Sequence, residues 1–170
     1  VNRGIETDEW FETSLAKHYA VGDCNGKLQL AHAARAEALN VTMQILGKKP
    51  KQINLDHVVH FIHTLPMSYA TVGQNKYSLE KDNKVFKESV VKLNHFTGSA
   101  FHHSGNGSMI VYADEEGLIL GAEILAPDAE ELIAPVAMAL AGEMTAASAQ
   151  KTIMAHPTFS EALERAYFRL

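Results

Sequence analysis

The sequence predicts an α+β domain from about residue 50 onward, in which an antiparallel β-sheet is flanked by helices. Three observations predict it. Short runs of β-branched and aromatic residues recur between residues 58 and 125, two of these runs are joined by the turn sequence at residues 114–117, and apolar residues beyond Pro127 take helical spacing. With 46% hydrophobic and 21% charged residues, the 170-residue chain has the composition of a folded globular protein and not of a disordered one.

Charge and cysteine content exclude several classes of protein. The 15 basic and 20 acidic residues give a net charge of −5, which offers no electrostatic basis for binding nucleic acid or an anionic membrane. No apolar run approaches the ~20 residues of a membrane-spanning helix. The single cysteine, Cys24, cannot form an intrachain disulfide, a cysteine zinc site or a dithiol pair, so a cytoplasmic location is expected. The chain begins at Val1, as a processed protein or a piece of a longer one would.

The first 49 residues are expected to be a strand and a helix without the rest of their sheet. The apolar residues 19–21 precede Gly22 and Asp23, which predicts a buried strand that ends in a tight turn. Residues 28–45 contain no proline or glycine, and Gly47 is placed to end a helix there. The apolar residues that recur at helical spacing are Leu30, Ala33, Ala34, Ala38, Val41, Ile45 and Leu46.

The basic, proline-containing stretch 48–51 predicts a boundary between a region 1–49 and a domain 50–170. The turn residues 104–108 precede a strand and not a helix, so they predict a turn and not a phosphate-binding loop. Strands are predicted at residues 58–62, 69–73, 86–96, 109–113 and 118–125, and a short helix at residues 77–83.

Helices are predicted for the C-terminal part of the chain. Asp128 is a candidate N-cap for a helix over residues 128–141, and Pro135 should kink that helix. Thr145 is placed to cap a second helix that extends to Ile153. Pro157 can occupy the first position of a third helix.

Three histidines spaced by three, His57, His60 and His63, raise the question of a metal site. On a helix they would share one face and could bind a metal ion. The surrounding residues favour a strand, whose period of two separates His60 from the other two. Since His102 and His103 add no second ligand pair of suitable spacing, no metal site is expected.

Two pairs of residues are candidates for chemistry. Pro157 favours an extended backbone at His156, so that Glu161 can reach back to one ring nitrogen and leave the other free for proton transfer. The alternative is a capping histidine beside a solvated glutamate. Gly22 permits close approach of a ligand, and Asp23 can accept hydrogen bonds from sugar-like hydroxyls. The alternative there is a plain strand–turn–helix with aspartate as a turn former.

Four segments together resemble the flavin-dependent pyridine nucleotide–disulfide oxidoreductases. They are residues 13–23, which end in Tyr-Ala-Val-Gly-Asp; the Leu-Ala-His run at 30–32; the hairpin at 114–127; and the His-Pro-Thr-Phe-Ser-Glu run at 156–161. The resemblance covers nearly the whole chain, and the last run is most similar to dihydrolipoyl dehydrogenases. It implies a remnant of an FAD-binding domain over residues 1–49 and a dimerisation (interface) domain over residues 50–170.

The resemblance also implies roles for residues near the FAD cofactor. Asp23, together with Gly22, would contact the ribityl or phosphate region of FAD, and the backbone near Leu30, Ala31 and His32 would face the isoalloxazine ring. FAD and NAD(P) are therefore implied as cofactors of the full-length enzyme, with neither bound to this chain alone.

The same resemblance implies a reaction and partners. His156, partnered by Glu161, would be the acid/base that acts across a two-fold interface on the other subunit's redox dithiol, so a homodimer is implied. The reaction would be the oxidation of dihydrolipoamide by NAD⁺, with a lipoyl-bearing multienzyme complex as a further partner. These 170 residues contain no Gly-x-Gly-x-x-Gly run, no Cys-x4-Cys pair and no nicotinamide-binding domain, so the chain alone is expected to be inactive.

Several positions depart from the family pattern. The stretch 64–73 is one residue longer than usual and has Met67 where an acidic residue is typical. Ser99 precedes Ala100 where a basic residue is usual, and Pro135 lies inside a helix. These departures leave open a glutathione or mercuric reductase-like enzyme, a transhydrogenase, or a stand-alone dimerising interaction module without catalysis.

Overall fold

The computed structural model describes residues 4–97 and 106–170, which form two compact units. The first unit ends at Leu55 and the second begins at Asp56. The domain boundary predicted after residue 49 stays a prediction. Ser99, Ala100, His102 and His103 lie outside the described residues, as does the first part of the turn at 104–108.

The first unit contains a loop region, a 3₁₀ turn at Gly22–Asn25 and helix α1 (Ala31–Ile45). The buried strand predicted over residues 19–21 is not formed: Tyr19 makes one isolated antiparallel bridge, to Glu12. A strand needs a neighbouring strand for its backbone hydrogen bonds, and the described residues of this unit supply none. Ala20 is nevertheless buried, as the apolar run at residues 19–21 predicts.

Helix α1 begins at Ala31, later than the start of the apolar pattern, and its buried face differs from the predicted one. Ile45 and Leu46 are exposed, whereas Glu37 and Asn40 are buried. These two polar side chains tolerate burial because they are hydrogen-bonded; Asn40 bonds to both backbone groups of Lys51, at 2.5 and 3.0 Å. The buried residues of the helix are Ala33, Glu37, Asn40 and Val41.

The second unit is built on an antiparallel sheet of five strands, in the order β1-β2-β5-β4-β3. This confirms the predicted α+β class and the hairpin at residues 114–117, where Asp114 Oδ1 accepts the Leu118 N–H at 2.7 Å and Gly117 has φ +86°. The strands are β1 (His60–His63), β2 (Ser68–Gly73), β3 (Lys87–Lys92), β4 (Ser108–Ala113) and β5 (Ile119–Ala126).

The first of these strands is shorter at its start than the sequence predicts. Residues Leu55–His57 form a 3₁₀ turn, and β1 begins only at His60. The strand predicted over residues 86–96 ends at Lys92 and is followed by a 3₁₀ turn at Leu93–His95. Both differences lie at strand ends, where a 3₁₀ turn takes the place of residues that were expected to pair with a neighbouring strand.

The helices that follow the last strand share one hydrophobic core with the sheet. The core formed between them contains alternate residues of β2, β4 and β5, such as Val72, Val111 and Ile124, which are almost fully buried. The helices are α2 (Lys76–Lys81), α3 (Ala129–Leu132), α4 (Ala134–Ala141), α5 (Ala146–Ala149) and α6 (Glu161–Tyr167).

The helix predicted over residues 128–141 is divided in two at Ile133. Pro135 lies in the first turn of α4, where its missing N–H costs nothing, so the predicted kink is a break between α3 and α4. Asp128 is the N-cap residue of α3, as predicted, but its side chain makes no capping hydrogen bond. Asp128 has φ +53°, and its backbone carbonyl, not its carboxylate, accepts the N–H groups of Glu131 and Leu132.

The last two helices differ from prediction at their ends. Thr145 caps α5 as predicted, accepting the Ser148 N–H at 3.2 Å, but that helix ends at Ala149 and not at Ile153. Helix α6 begins at Glu161 and not at Pro157, because residues 158–160 form bends and turns before it. In the described part of the chain, no helix has the length and apolar character needed to cross a membrane.

We predict that Gly121→Ala destabilises the chain by about 3 kcal/mol, the upper end for overpacking. A Cβ at Gly121 would lie 2.1 Å from the Gln74 carbonyl oxygen and 2.6 Å from the Gln74 nitrogen, both of which are backbone atoms. Gly142→Ala is the matched control, because the nearest atom to its Cβ would be at 3.4 Å. Urea unfolding measures both free energies, and equal values for the two variants would contradict the prediction.

Candidate functional site

His156 and Glu161 form the hydrogen-bonded pair that the sequence predicts. His156 Nδ1 lies 2.9 Å from Glu161 Oε1. The histidine side chain is 69% exposed, whereas that of the glutamate is 22% exposed. The pair therefore presents an accessible imidazole whose orientation is fixed by a hydrogen bond to a partly buried carboxylate.

The second carboxylate oxygen of Glu161 fixes the loop that carries His156. Glu161 Oε2 accepts the Thr158 N–H at 3.0 Å, and the Thr158 hydroxyl donates to the Ala155 carbonyl at 2.6 Å. Since Glu161 is the first residue of α6, whose Ala162 and Leu163 are fully buried, the carboxylate is anchored to the core. Sequence reasoning missed Thr158, whose position three residues before an acidic residue could have indicated it.

These contacts determine the protonation of the carboxylate. The hydrogen bond from His156, followed by the Thr158 N–H, lowers the pKa of Glu161 below its usual value. The group is thus an anion at neutral pH and accepts a hydrogen bond from Nδ1–H. The other ring nitrogen, Nε2, bonds to none of the described residues, so it is available to take or give a proton.

A shallow cleft opens beside Glu161 on the exposed face of α6. The Arg165 guanidinium stacks over the Phe96 ring at 5.1 Å from its centroid. The cleft therefore places a cation and aromatic surface next to Glu161. Its lining residues are Phe96, Glu161, Glu164, Arg165 and Phe168.

A second histidine–carboxylate contact, which sequence reasoning missed, lies at one edge of the sheet. His63 Nδ1 is 3.5 Å from Glu130 Oε1 and 3.2 Å from Ser68 Oγ. Both contacts involve the same ring nitrogen, so this group is not a relay in which a carboxylate and a serine bind opposite nitrogens. The long sequence separation of His63 and Glu130 leaves no local pattern that could reveal it.

A third cluster links three neighbouring strands of the sheet. Glu123 on β5 accepts hydrogen bonds from Tyr69 on β2, at 2.5 Å, and from Tyr112 on β4. Burial, and then the Glu123 carboxylate, raises the pKa of Tyr69 to about 12 and shifts the pKa of Tyr112 upward as well. Both phenols stay protonated at neutral pH, so this cluster joins strands and does not transfer protons.

The predicted cofactor residues lie in the first unit, around the turn at Gly22–Asn25. Gly22 has φ +71°, a conformation that favours glycine, and Asp23 is exposed. Leu30, Ala31 and His32 lie at the start of α1, where backbone N–H groups have no intrahelical partner. These five residues are in the first unit and the His156–Glu161 pair is in the second.

The turn at Gly22–Asn25 is tied to α1 by a residue that sequence reasoning missed. Glu37 Oε2 accepts the Gly22 N–H at 2.6 Å and the Asn25 side-chain amide at 2.8 Å. The spacing of Glu37 from Ala33 and Val41 on α1 could have placed it on the buried face. For metal ions, the described residues contain no group of three or more histidine, cysteine or acidic side chains placed to bind one.

Comparison with known proteins identifies the family. Residues 59–167 match the model of the pyridine nucleotide-disulphide oxidoreductase dimerisation domain. The chain belongs to this family. The match begins just before β1 and ends with the last residue of α6, so it contains the His156–Glu161 pair.

Similar curated proteins are dihydrolipoyl dehydrogenases. That of Bacillus subtilis is 34% identical over 170 residues, which are 96% of this chain and 36% of the relative. That of Chlorobaculum parvum is 32% identical over 96% of this chain and 35% of the relative. The chain thus spans about a third of the length of the curated relatives that it matches.

Solved structures share the fold. LpdA from Mycobacterium tuberculosis superimposes with a TM-score of 0.92 at 24% identity, over 98% of this chain and 36% of that one. The HOCl-induced flavoprotein disulfide reductase RclA from Escherichia coli gives a TM-score of 0.86 at 19% identity, over 98% and 38%. At these identities the likeness shows the fold alone.

We predict that Glu161→Gln loses a stabilising contribution that depends on pH. Because folding lowers the Glu161 pKa, this contribution is present above the unfolded value of about 4.3 and is lost as pH falls through the folded value. Its size is about 1 kcal/mol or less, since solvent screens the exposed pair. Unfolding of both proteins between pH 3 and pH 7 measures it.

Glu164→Gln is the control, because the Glu164 carboxylate, one turn further along α6, accepts no hydrogen bond from the described residues. A stability difference between wild type and Glu161→Gln that did not shrink below pH 4 would contradict the prediction.

Proposed function

We propose that this chain is the C-terminal part of a longer FAD-dependent disulfide oxidoreductase, a dihydrolipoyl dehydrogenase that oxidises dihydrolipoamide to lipoamide with NAD⁺ as acceptor. The observation that carries the proposal is the hydrogen bond of 2.9 Å between His156 and Glu161, on a domain of this family. The names of the similar curated proteins support the substrate. Residues 1–49 are then the end of an FAD-binding domain, and residues 50–170 are the dimerisation domain.

His156 is the acid/base of this reaction. A dithiol must lose a proton before its sulfur attacks a disulfide, since the thiolate is the nucleophile. In the proposed step, Nε2 of His156 takes the thiol proton while the new S–S bond forms and the old one breaks. Glu161 keeps the proton on Nδ1 and stabilises the imidazolium, so that it acts as a positioning residue.

The residues at the turn of the first unit fit an FAD cofactor. Gly22, with φ +71°, forms the turn on which the exposed Asp23 carboxylate lies, and that carboxylate can accept hydrogen bonds from sugar-like hydroxyls. Leu30, Ala31 and His32 would hold the flavin end through their backbone. When bound, FAD supplies the two-electron redox chemistry that links the dithiol to NAD(P).

The partners follow from the proposed mechanism. If the disulfide that His156 serves lies on the other subunit, the active protein is a homodimer. A lipoyl-bearing multienzyme complex supplies the substrate arm. The single cysteine, Cys24, which is exposed, is compatible with a reducing, cytoplasmic location.

We expect His156→Ala in the full-length enzyme to slow flavin reduction by dihydrolipoamide by about 10²–10⁴-fold, the range for loss of a general acid/base. FAD should stay bound, because the substitution leaves the turn at Gly22–Asn25 unaltered. Stopped-flow absorbance at the flavin band measures the rate. His63→Ala is the matched control, as it removes the other histidine–carboxylate contact, and an unchanged rate in His156→Ala would refute the role.

We also expect the 170-residue chain by itself to form dimers and to show no dihydrolipoamide–NAD⁺ turnover. The chain holds the proton-transfer residues and lacks a Cys-x4-Cys pair, so no disulfide is present for a dithiol to reduce. Sedimentation equilibrium measures the mass, and an NADH absorbance assay measures turnover. Measurable turnover, or a monomer at every concentration tested, would contradict the expectation.

A further inference from the structure

We propose that Glu37 is a positioning residue for the cofactor: its buried carboxylate sets the conformation of the turn at Gly22–Asn25 and thereby the direction in which Asp23 points. The inference rests on the proposed function, because it assumes that this turn contacts FAD. It assigns a role to a residue that does not itself touch the cofactor.

One oxygen of Glu37 fastens both ends of the turn. Oε2 accepts the Gly22 N–H at 2.6 Å and the Asn25 Nδ2–H at 2.8 Å. Asn25 Nδ2 also donates to the Ala20 carbonyl at 3.4 Å, so the same amide holds the chain that enters the turn. Glu37 is fully buried, and hydrogen bonds to a buried charged group are stronger than those between neutral groups.

The two residues between these anchors are exposed. Asp23 and Cys24 lie between Gly22 and Asn25, and the Asp23 side chain accepts no hydrogen bond from the described residues. Its direction is therefore determined by the backbone on either side. A carboxylate that fixes Gly22 and Asn25 fixes Asp23 without contacting it.

Packing alone does not explain a carboxylate at this position. The remaining buried residues of this helix face include Ala33 and Val41, and an apolar side chain at position 37 would avoid the desolvation of a charge. Glycine accounts for the φ of +71° at Gly22, where a Cβ would also meet the Ala34 Cβ at 3.1 Å, but glycine alone does not select one conformation. The two hydrogen bonds that Glu37 accepts make that selection.

The unpartnered oxygen provides a conservative variant. Glu37 Oε1 is buried and has no hydrogen-bond partner among the described residues. In Glu37→Gln the amide oxygen can take the place of Oε2 and accept both bonds, while the NH₂ group takes the place of Oε1. Glu37→Ala removes both bonds.

The experiment measures FAD affinity of the full-length apoenzyme by fluorescence titration with FAD, and the thermal unfolding temperature of each apoprotein. Glu37→Ala should raise the Kd for FAD about tenfold or more. The free energy lost with two hydrogen bonds to a charged group corresponds to a change in Kd of at least about that size. Glu37→Gln should stay within about threefold of wild type, since both bonds can persist.

Asn40→Ala is the matched control. Asn40 is a buried polar residue on the same helix and bonds to Lys51, away from the turn. It should lower the unfolding temperature and leave the Kd for FAD unchanged. If Glu37→Ala does not fold, Asn25→Ala removes the side-chain anchor alone and should raise the Kd about threefold to tenfold, which is the effect of one hydrogen bond.

Three outcomes would overturn the inference: an unchanged Kd in Glu37→Ala, an unchanged Kd in Asn25→Ala, or an equal rise in Kd for Asn40→Ala. Any of these results would mean that Glu37 stabilises the fold and does not position the turn for the cofactor. A wild-type full-length protein that binds no FAD would instead overturn the proposed function, so the two failures are distinguishable.

Discussion

Strand β5 is the element on which the second unit depends. It pairs along its length with β2 on one side and with β4 on the other, and Gly121 lets the Gln74 backbone approach closely. Ala122, Ile124 and Ala126 direct alternate side chains into the core against which α3, α4 and α6 pack. Since α6 begins at Glu161, the sheet holds in place the carboxylate that orients His156.

Glu161 and Glu37 use the same physical device in different units. Each lies on a helix, and each carboxylate accepts a backbone N–H from the segment that precedes that helix: Thr158 for Glu161 and Gly22 for Glu37. A helix is rigid and a loop is not, so a carboxylate that joins them transfers the rigidity of the helix to the loop. They differ in burial, since Glu37 is fully buried whereas Glu161 is partly exposed.

The sequence predicted the sheet and the His156–Glu161 pair because both depend on local patterns. The hairpin between β4 and β5 follows from turn chemistry, and the pair follows from a proline and a separation of five residues. The sequence did not predict that Asp128 caps α3 through its backbone alone, that α6 begins at Glu161, or that Glu37 holds the turn at Gly22–Asn25. The role of Glu37 depends on a contact between distant segments, since its carboxylate on α1 accepts the Gly22 N–H. The two helix starts depend on local backbone conformation, such as the positive φ of Asp128, which the pattern of side chains does not reveal.

The single cysteine has a different meaning beside the His156–Glu161 pair. By itself it argues against disulfide chemistry, because one thiol cannot form a redox pair. The His156–Glu161 pair, however, has the properties that the proposed proton transfer from sulfur requires: an exposed imidazole, a hydrogen-bonded carboxylate with a lowered pKa, and no competing bond to Nε2 among the described residues. Acid/base residues and redox cysteines need not share a domain. It follows that the number of cysteines shows whether a chain can carry the redox disulfide of such a site. It gives no information about the residues that transfer the proton.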